Sequence, residues 1–536
     1  MPKWTQQQNN AITARGRNIL VSAAAGSGKT AVLVERVIKK ITNSKNPVDI
    51  DKLLIVTFTN NAASEMKFRI TKSLKEILRN EPFNQNAQRQ LNLMPNAKIC
   101  TIDSFCINLV RENFFELGIN QDFTNLDENE ASLLEDEIIS NLTDELFENN
   151  DEEFIKLVEQ FNTPGNEKPF INAVKKVRRF IYAQPFPYSW AYKMSELYNS
   201  NIAFENSKWF EYIKDEADYL ISIAKKCVNN NLALLNQIDD SKLNEKFENL
   251  FLNDKSLIDN VSDLLNTSWD DLVKLGVPSF ARLVSTAKLD EELASEIKAN
   301  RNTYTNIIKK EIPAFLICSK EDYVKSLNTL YPIIKKLIDF VKIVDSRLMV
   351  EKNERNSYSF SDTEHFAINL LFTPDGDQII KKELADRLSA EFEEILVDEY
   401  QDTNEAQDLL FAYLSNGHNL FTVGDVKQSI YRFRLAMPNI FNSRRKLYTD
   451  YNPNDNEKSS KIILDKNFRS SKGICEYVNF IFSKVMSERV GELDYDAQNR
   501  LNFGADYKKN DISSAQIHIL DLSLIHISEP TRLRCI

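Results

Sequence analysis

Near the N-terminus, Ala23-Ala24-Ala25-Gly26-Ser27-Gly28-Lys29-Thr30 combines small side chains, a lysine and a hydroxyl in the order that a phosphate cradle requires. Small residues let backbone N–H groups curl around phosphate oxygens, and a helix that follows turns its positive end toward them. Lys29 is then placed to neutralise β- and γ-phosphates, and Thr30 to offer a hydroxyl to Mg²⁺. The stretch matches the P-loop pattern except at its first position, where Ala23 replaces glycine. The plain alternative is a Gly-Ser turn ahead of an ordinary helix. Of only 12 glycines in the chain, Gly26 and Gly28 fall two positions apart, which marks a special backbone.

A phosphate cradle needs a carboxylate at the end of a neighbouring strand to become a hydrolytic site. Ile395-Leu396-Val397-Asp398-Glu399 supplies one. Asp398 would hold Mg²⁺, through water, and Glu399 would polarise the attacking water. Two acids after an apolar strand are otherwise a solvated strand end; the cradle upstream decides for chemistry.

The elements that must position these groups can be read from pattern. Asn18–Ser22 is a short apolar strand leading into the Gly-rich turn, and a helix starts near Lys29. Lys52–Thr57, Glu394–Asp398 and Asn419–Gly424 are further strands of this kind, and Lys461–Leu464 opens another. Short apolar runs each followed by a helix imply an α/β fold, a parallel sheet covered on both faces. Between about Asn120 and Glu351 only Gly165 and Gly276 occur, and Leu134, Ile138, Leu142 and Leu146 recur at helical spacing. That block is a large α-helical insertion.

Composition narrows the class further. A chain of 536 residues predicts two to four domains. The start, Met1-Pro2-Lys3-Trp4, lacks the apolar core of a signal peptide, and no run of residues is apolar and long enough to span a bilayer. A cytoplasmic protein with no membrane partner is expected. The six cysteines lack metal-ligand spacing and read as reduced structural thiols. A net charge of −11 does not advertise nucleic acid, but a basic patch need only be local.

The motifs carry a more specific resemblance. Asp398-Glu399-Tyr400-Gln401-Asp402-Thr403-Asn404 with Gln407 resembles motif II of the UvrD/Rep-type DNA helicases. Val423-Gly424-Asp425-Val426-Lys427-Gln428-Ser429-Ile430-Tyr431-Arg432-Phe433-Arg434 is similar to their motif III, and Leu464–Ser470 to motif IV. Thr57–Ala63 resembles motif Ia, and Trp4–Gln8 the Q motif. This order is the family's order.

The resemblance implies two RecA-like lobes and assigns roles by position. Gln8 would read the adenine edge, Gln428 would sense the γ-phosphate and couple it to DNA, and Arg469 would stabilise transition-state charge. Single-stranded DNA would lie near Phe58, Thr59, Asn60, Tyr431 and Phe433, where base–aromatic stacking is worth about 1–3 kcal/mol per base. Phe433 replaces a tryptophan common in the family. Thr101-Ile102-Asp103-Ser104-Phe105 resembles a further DNA-contacting segment, with Asp103 in place of histidine; Ser104 and Phe105 keep the pattern.

Lys427–Arg434, Trp4-Thr5, the size of the insertion and Tyr358–Asp362 point within the family to the AddA-type helicase–nucleases. Membership implies ATP and Mg²⁺ as cofactors, single-stranded and duplex-end DNA as substrate, an AddB-like partner, double-strand-break repair and 3′→5′ movement. The expected layout is a first motor lobe at 1–118 and 356–447, a helical insertion at 119–355, the start of an incomplete second lobe at 448–521 and a non-native tail at 522–536. Motifs V and VI and a nuclease domain have no counterpart, so weak Mg-ATP binding without efficient hydrolysis or unwinding is expected. The alternatives are a stand-alone UvrD/PcrA-like helicase and a non-catalytic ATP-binding scaffold.

Overall fold

The computed structural model describes residues 4–162, 168–199, 201–316 and 318–505. They form two compact units. One draws on Met1–Asp136, Arg178–Pro187 and Arg347–Ile536, the other on Glu137–Val177 and Tyr188–Ser346. The expected tail at 522–536 lies outside the described residues.

The first unit is built on a seven-stranded parallel sheet. Its strands are β1 (Asn18–Ala23), β2 (Leu53–Thr57), β3 (Lys98–Thr101), β4 (Glu394–Val397), β5 (Leu420–Gly424), β6 (Thr449–Asp450) and β7 (Ser459–Leu464). Their spatial order is β6-β7-β1-β5-β4-β2-β3, and every neighbouring pair is parallel. The α/β reading therefore holds. Alternate residues of each strand enter two separate cores. Leu20, Leu54, Val56, Ile395 and Val397 face one; Ile19, Val21, Leu53, Ile55, Leu396 and Phe421 face the other. Such a sheet must be helix-covered on both sides, which explains its near-continuous apolar runs. One side carries α1 (Gln6–Thr13), α2 (Lys29–Ile41) and α3 (Asn60–Asn80); the other carries α4 (Ile102–Glu112), α5 (Phe360–Leu371) and α6 (Glu405–Leu414).

One expectation needs correcting here. The segment from 448, expected to open a second lobe, places β6 and β7 in the first sheet, with Asn18–Ala23 in register with Ser459–Leu464. Without β7, the strand that carries the phosphate cradle would be an edge with unpaired backbone groups. Pairing on both sides, with β5 on the other, holds it rigid.

The second unit is helical, as its glycine-poor sequence predicts. Lys208–Leu234, Ser241–Thr267 and Glu291–Asn306 are among its helices, packed around Phe247, Phe251, Ile258, Ile297 and Tyr304. Inside, Asp254 accepts hydrogen bonds from the Arg301 guanidinium at 2.9 Å and the Tyr304 hydroxyl at 2.6 Å, so its buried charge is matched. The insertion is not one continuous block: Arg178–Pro187 belongs to the sheet unit, where the Ala183 carbonyl accepts the Ala406 amide proton at 3.1 Å. No helix among the described residues is long and apolar enough to cross a membrane.

Candidate nucleotide site and nucleic-acid face

In a parallel sheet the loops at the carboxyl ends of the strands converge, and ligands bind there. Each motif sits at such an end: the cradle after β1, Phe58 after β2, Asp398 after β4 and motif III after β5.

Ala23 closes β1, and Ala24 through Gly28 form the turn into α2. Gly26 and Gly28 have φ of +70° and +84°, a region that side chains avoid. The turn is clamped from motif IV. The Leu464 carbonyl accepts from the Ala24 amide at 2.9 Å, and the Gly26 carbonyl from the Phe468 amide at 2.9 Å. Asn467 Nδ2 donates to the Ala25 carbonyl at 2.8 Å. Arg469 is exposed and follows directly. Ser27 Oγ is buried with no hydrogen-bond partner among the described residues, which suits a loop shaped around an acceptor-rich ligand. Thr30 lies in the first turn of α2, partly open.

Gln8 is nearly buried. Its Oε1 accepts the Thr5 amide at 2.9 Å and its Nε2 donates to the Ser27 carbonyl at 2.9 Å. The Q-motif helix is thereby capped and tied to the cradle at once.

Lys29 Nζ donates to Glu399 Oε2 at 2.8 Å, closing an ion pair across the site. Glu399 has φ of +50°, a conformation that costs a non-glycine residue on the order of 1–3 kcal/mol and recurs at functional sites. Asp398 is buried at the strand end and donates its backbone N–H to the Val56 carbonyl at 3.0 Å. Burial and the neighbouring Glu399 charge push its carboxyl up to about 6, with Lys29 opposing. A carboxylate held in that state is short of positive charge, so Asp398 with Thr30 fits a divalent cation. When bound, the metal would supply charge neutralisation at the phosphates; Glu399 is the group left to orient water.

Motif III folds back on motif II. Gln428 Nε2 donates to Asp425 Oδ2 at 2.7 Å, and Lys427 pairs with the same carboxylate at 2.7 Å. Gln401 and Asp425, inside the motifs but not singled out from sequence, are the groups that join the two loops. The conformation of Gln401 is fixed by distant backbone, which no spacing reveals.

The aromatic residues form a row. Phe58 stacks on Tyr431 with ring centroids 5.9 Å apart, and Tyr431 meets Phe433 at 5.8 Å. The Arg434 guanidinium lies 5.5 Å from the Tyr431 ring centre and 5.8 Å from that of Phe433. Phe433 is 64% exposed, so one end of the row is open. Arg179 donates to the Phe433 carbonyl at 2.6 Å. Thr59 caps α3 through the Ala62 amide at 3.2 Å, and exposed Asn60 follows it.

Phe105 does not belong to this face. It is buried and packs on Phe411 at 6.4 Å within the core, so its ring serves packing. Ser104 Oγ lies 2.8 Å from Thr101 Oγ1 at the start of α4. Beside it, burial raises the Asp103 carboxyl, with Arg434 acting the other way.

A cradle on the first strand with an acidic strand end beside it, in a doubly covered parallel sheet, defines a RecA-like P-loop motor lobe. Within that class the chain belongs to the UvrD/REP helicase family, whose N-terminal domain matches residues 4–449. It is 39% identical to an ATP-dependent helicase/nuclease subunit of the AddA type from Clostridium novyi (strain NT), over 98% of this chain and 43% of that protein. Against the proteins of the same name from Clostridium botulinum (strain Alaska E43 / Type E3) and Clostridioides difficile (strain 630), identity is 38% and 36%, over 97% of the chain in both cases and 43% and 42% of those proteins. The chain thus spans less than half the length of these relatives.

The clamp on the cradle makes a sharp expectation. A Cβ on Gly26 would sit 2.9 Å from Arg469 Cβ and from both Asn467 amide atoms, whereas one on Gly16 meets nothing within 4 Å. Both glycines have positive φ, so Gly16→Ala carries only the backbone cost of about 1–2 kcal/mol. Gly26→Ala must also displace motif IV, and is expected to weaken Mg-nucleotide binding at least tenfold while Gly16→Ala leaves it unchanged. Fluorescent-nucleotide titration checks both.

Proposed function

We propose that this chain is the ATP-driven motor part of a helicase–nuclease in DNA double-strand-break repair, moving 3′→5′ along single-stranded DNA in the cytoplasm. The observation that carries the reading is that the Lys29–Glu399 pair and the Phe58–Tyr431–Phe433 row are served by the same two loops, motifs II and III. The relatives share a name that makes each one a component of an ATP-dependent helicase/nuclease, which supports the repair role and an AddB-like partner. ATP would occupy the cradle from Ala23 to Thr30 with Gln8 at the base, and Mg²⁺ would rest on Thr30 and Asp398. Gln428 and Arg469 would report the γ-phosphate. Phe58, Tyr431 and Phe433 would stack on bases, with Thr59, Asn60 and Ser104 near the backbone.

The test is twofold. The chain should bind Mg-ATP analogues in a Lys29-dependent manner and oligo-dT in a manner dependent on the aromatic row. Loss of one stacked base contact costs about 1–3 kcal/mol, so Tyr431→Ala should weaken oligo-dT at least fivefold and leave nucleotide affinity in place. Oligo-dT affinity indifferent to Phe58, Tyr431 and Phe433 would overturn the reading. Direction is read from displacement of streptavidin at 3′ against 5′ biotinylated ends.

A further inference from the structure

Gln401 is the residue whose placement the motor chemistry does not yet explain. It follows Glu399 by two positions and is 1% exposed. Both amide protons are used on acids: Nε2 donates to Glu399 Oε2 at 2.9 Å and to Asp402 Oδ2 at 3.1 Å. Its Oε1 accepts the Asp425 backbone N–H at 2.9 Å. One planar group therefore spans from the proposed water-orienting carboxylate to the first residue of motif III after β5.

The approach is close. A Cβ on Gly424 would fall 2.5 Å from Gln401 Oε1 and 3.2 Å from its backbone nitrogen, so only glycine lets the strand end come this near. From the anchor at Asp425 the chain runs through Gln428, which donates to Asp425 Oδ2, to Tyr431 and Phe433. Ser429 Oγ donates back to the Gln401 carbonyl at 3.4 Å. A carboxamide is rigid, and no water competes at 1% exposure. Movement of the Asp425 amide must therefore either carry Glu399 with it or break a buried bond, which costs about 1–3 kcal/mol.

On the reading of the site as an ATP and single-stranded DNA motor, we propose that the Gln401 carboxamide is a positioning residue that links the DNA face to Glu399. A base stacked on Tyr431 shifts the Asp425 end of the relay. A nucleotide that draws Lys29 away from Glu399 shifts the other. Each ligand thus biases one shared element, and linkage makes the effect reciprocal. Gln401 touches neither ligand.

The experiment measures, on the whole chain, the affinity of a fluorescent non-hydrolysable Mg-ATP analogue with and without saturating oligo-dT, and the reverse. The ratio is the coupling factor. Two variants keep the side-chain length: Gln401→Glu retains the acceptor for Asp425 but loses the donor to Glu399, and Gln401→Met loses both. Wild type is expected to show at least about fivefold coupling, the lower end for allosteric linkage. Both variants should fall below about twofold, with each separate affinity within about threefold of wild type. Coupling retained in both variants overturns the relay. So does a parallel loss of both affinities with the ratio kept, the mark of a merely structural role. A wild-type chain that binds both ligands without coupling also overturns the relay but leaves the motor reading standing. A wild-type chain that binds neither sinks the motor reading itself.

Discussion

Glu399→Gln will lower ATP turnover by about 10²–10⁴-fold, the range for removing a general base, while tightening rather than weakening Mg-nucleotide binding. The second half follows from the ion pair. Lys29 Nζ rests 2.8 Å from Glu399 Oε2, and a nucleotide must compete with that carboxylate for the ammonium. Glutamine cannot pair with it, so the lysine is released toward phosphate. Lys29→Ala should act in the opposite direction on binding, weakening it at least tenfold. A Glu399→Gln variant that lost affinity would show that Glu399 belongs to the binding site and would remove it from the role of water-orienting base.

The same variant should move a pH dependence. The Asp398 carboxyl is pushed up to about 6 by burial first and by Glu399 second. A protonated Asp398 cannot hold a cation, so wild-type Mg-nucleotide affinity should fall as pH drops through about 6. In Glu399→Gln the second cause is gone, and the midpoint should shift to lower pH. Titrations across pH 5 to 8 at fixed free Mg²⁺, on the order of the range where Asp398 changes charge, read the shift directly.

Much of this site was legible in sequence because its chemistry is local. A phosphate cradle is a continuous run of backbone, so Ala23–Thr30 announce themselves in order, and the helix begins at Lys29 as read. The strands around it were legible for a similar reason: a buried parallel strand is a short apolar run wherever it occurs. What sequence did not reveal is everything decided by distant partners. The run Lys461–Leu464 is recognisable as a strand, but not its choice of Asn18–Ala23 as neighbour. Phe105 keeps a motif position, yet a ring at a helix start turns inward or outward according to what packs against it, here Phe411. Gln401 and Asn467 are ordinary amides until the backbones of Asp425 and Ala25 arrive beside them.

The last expectation concerns what keeps this sheet end in place. Arg36 on α2 and Glu394 at the head of β4 form a salt bridge with side chains 1% and 5% exposed. Arg36 also donates to the Ala11 carbonyl of α1 at 2.6 Å, and its guanidinium lies 4.1 Å from the Phe421 ring centre on β5. Lys40 adds a second cation at 3.3 Å. Burial pushes the Glu394 carboxyl up, but Arg36 and Lys40 outweigh it and hold it below its ordinary value. Its contribution is therefore present above the unfolded-state pKa and lost as pH falls through the folded one. Removing one partner strands a buried charge, which costs about 3–5 kcal/mol, whereas replacing both with apolar residues is often neutral. Arg36→Met and Glu394→Leu should each lower the opening free energy of the β1 and β4 amides by that amount in hydrogen exchange. The double variant should recover much of the loss, leaving only the smaller debt of Lys40. Single variants that cost under about 1 kcal/mol would mean that water reaches the pair, and the joint between α1, α2, β4 and β5 would then rest on its apolar contacts alone.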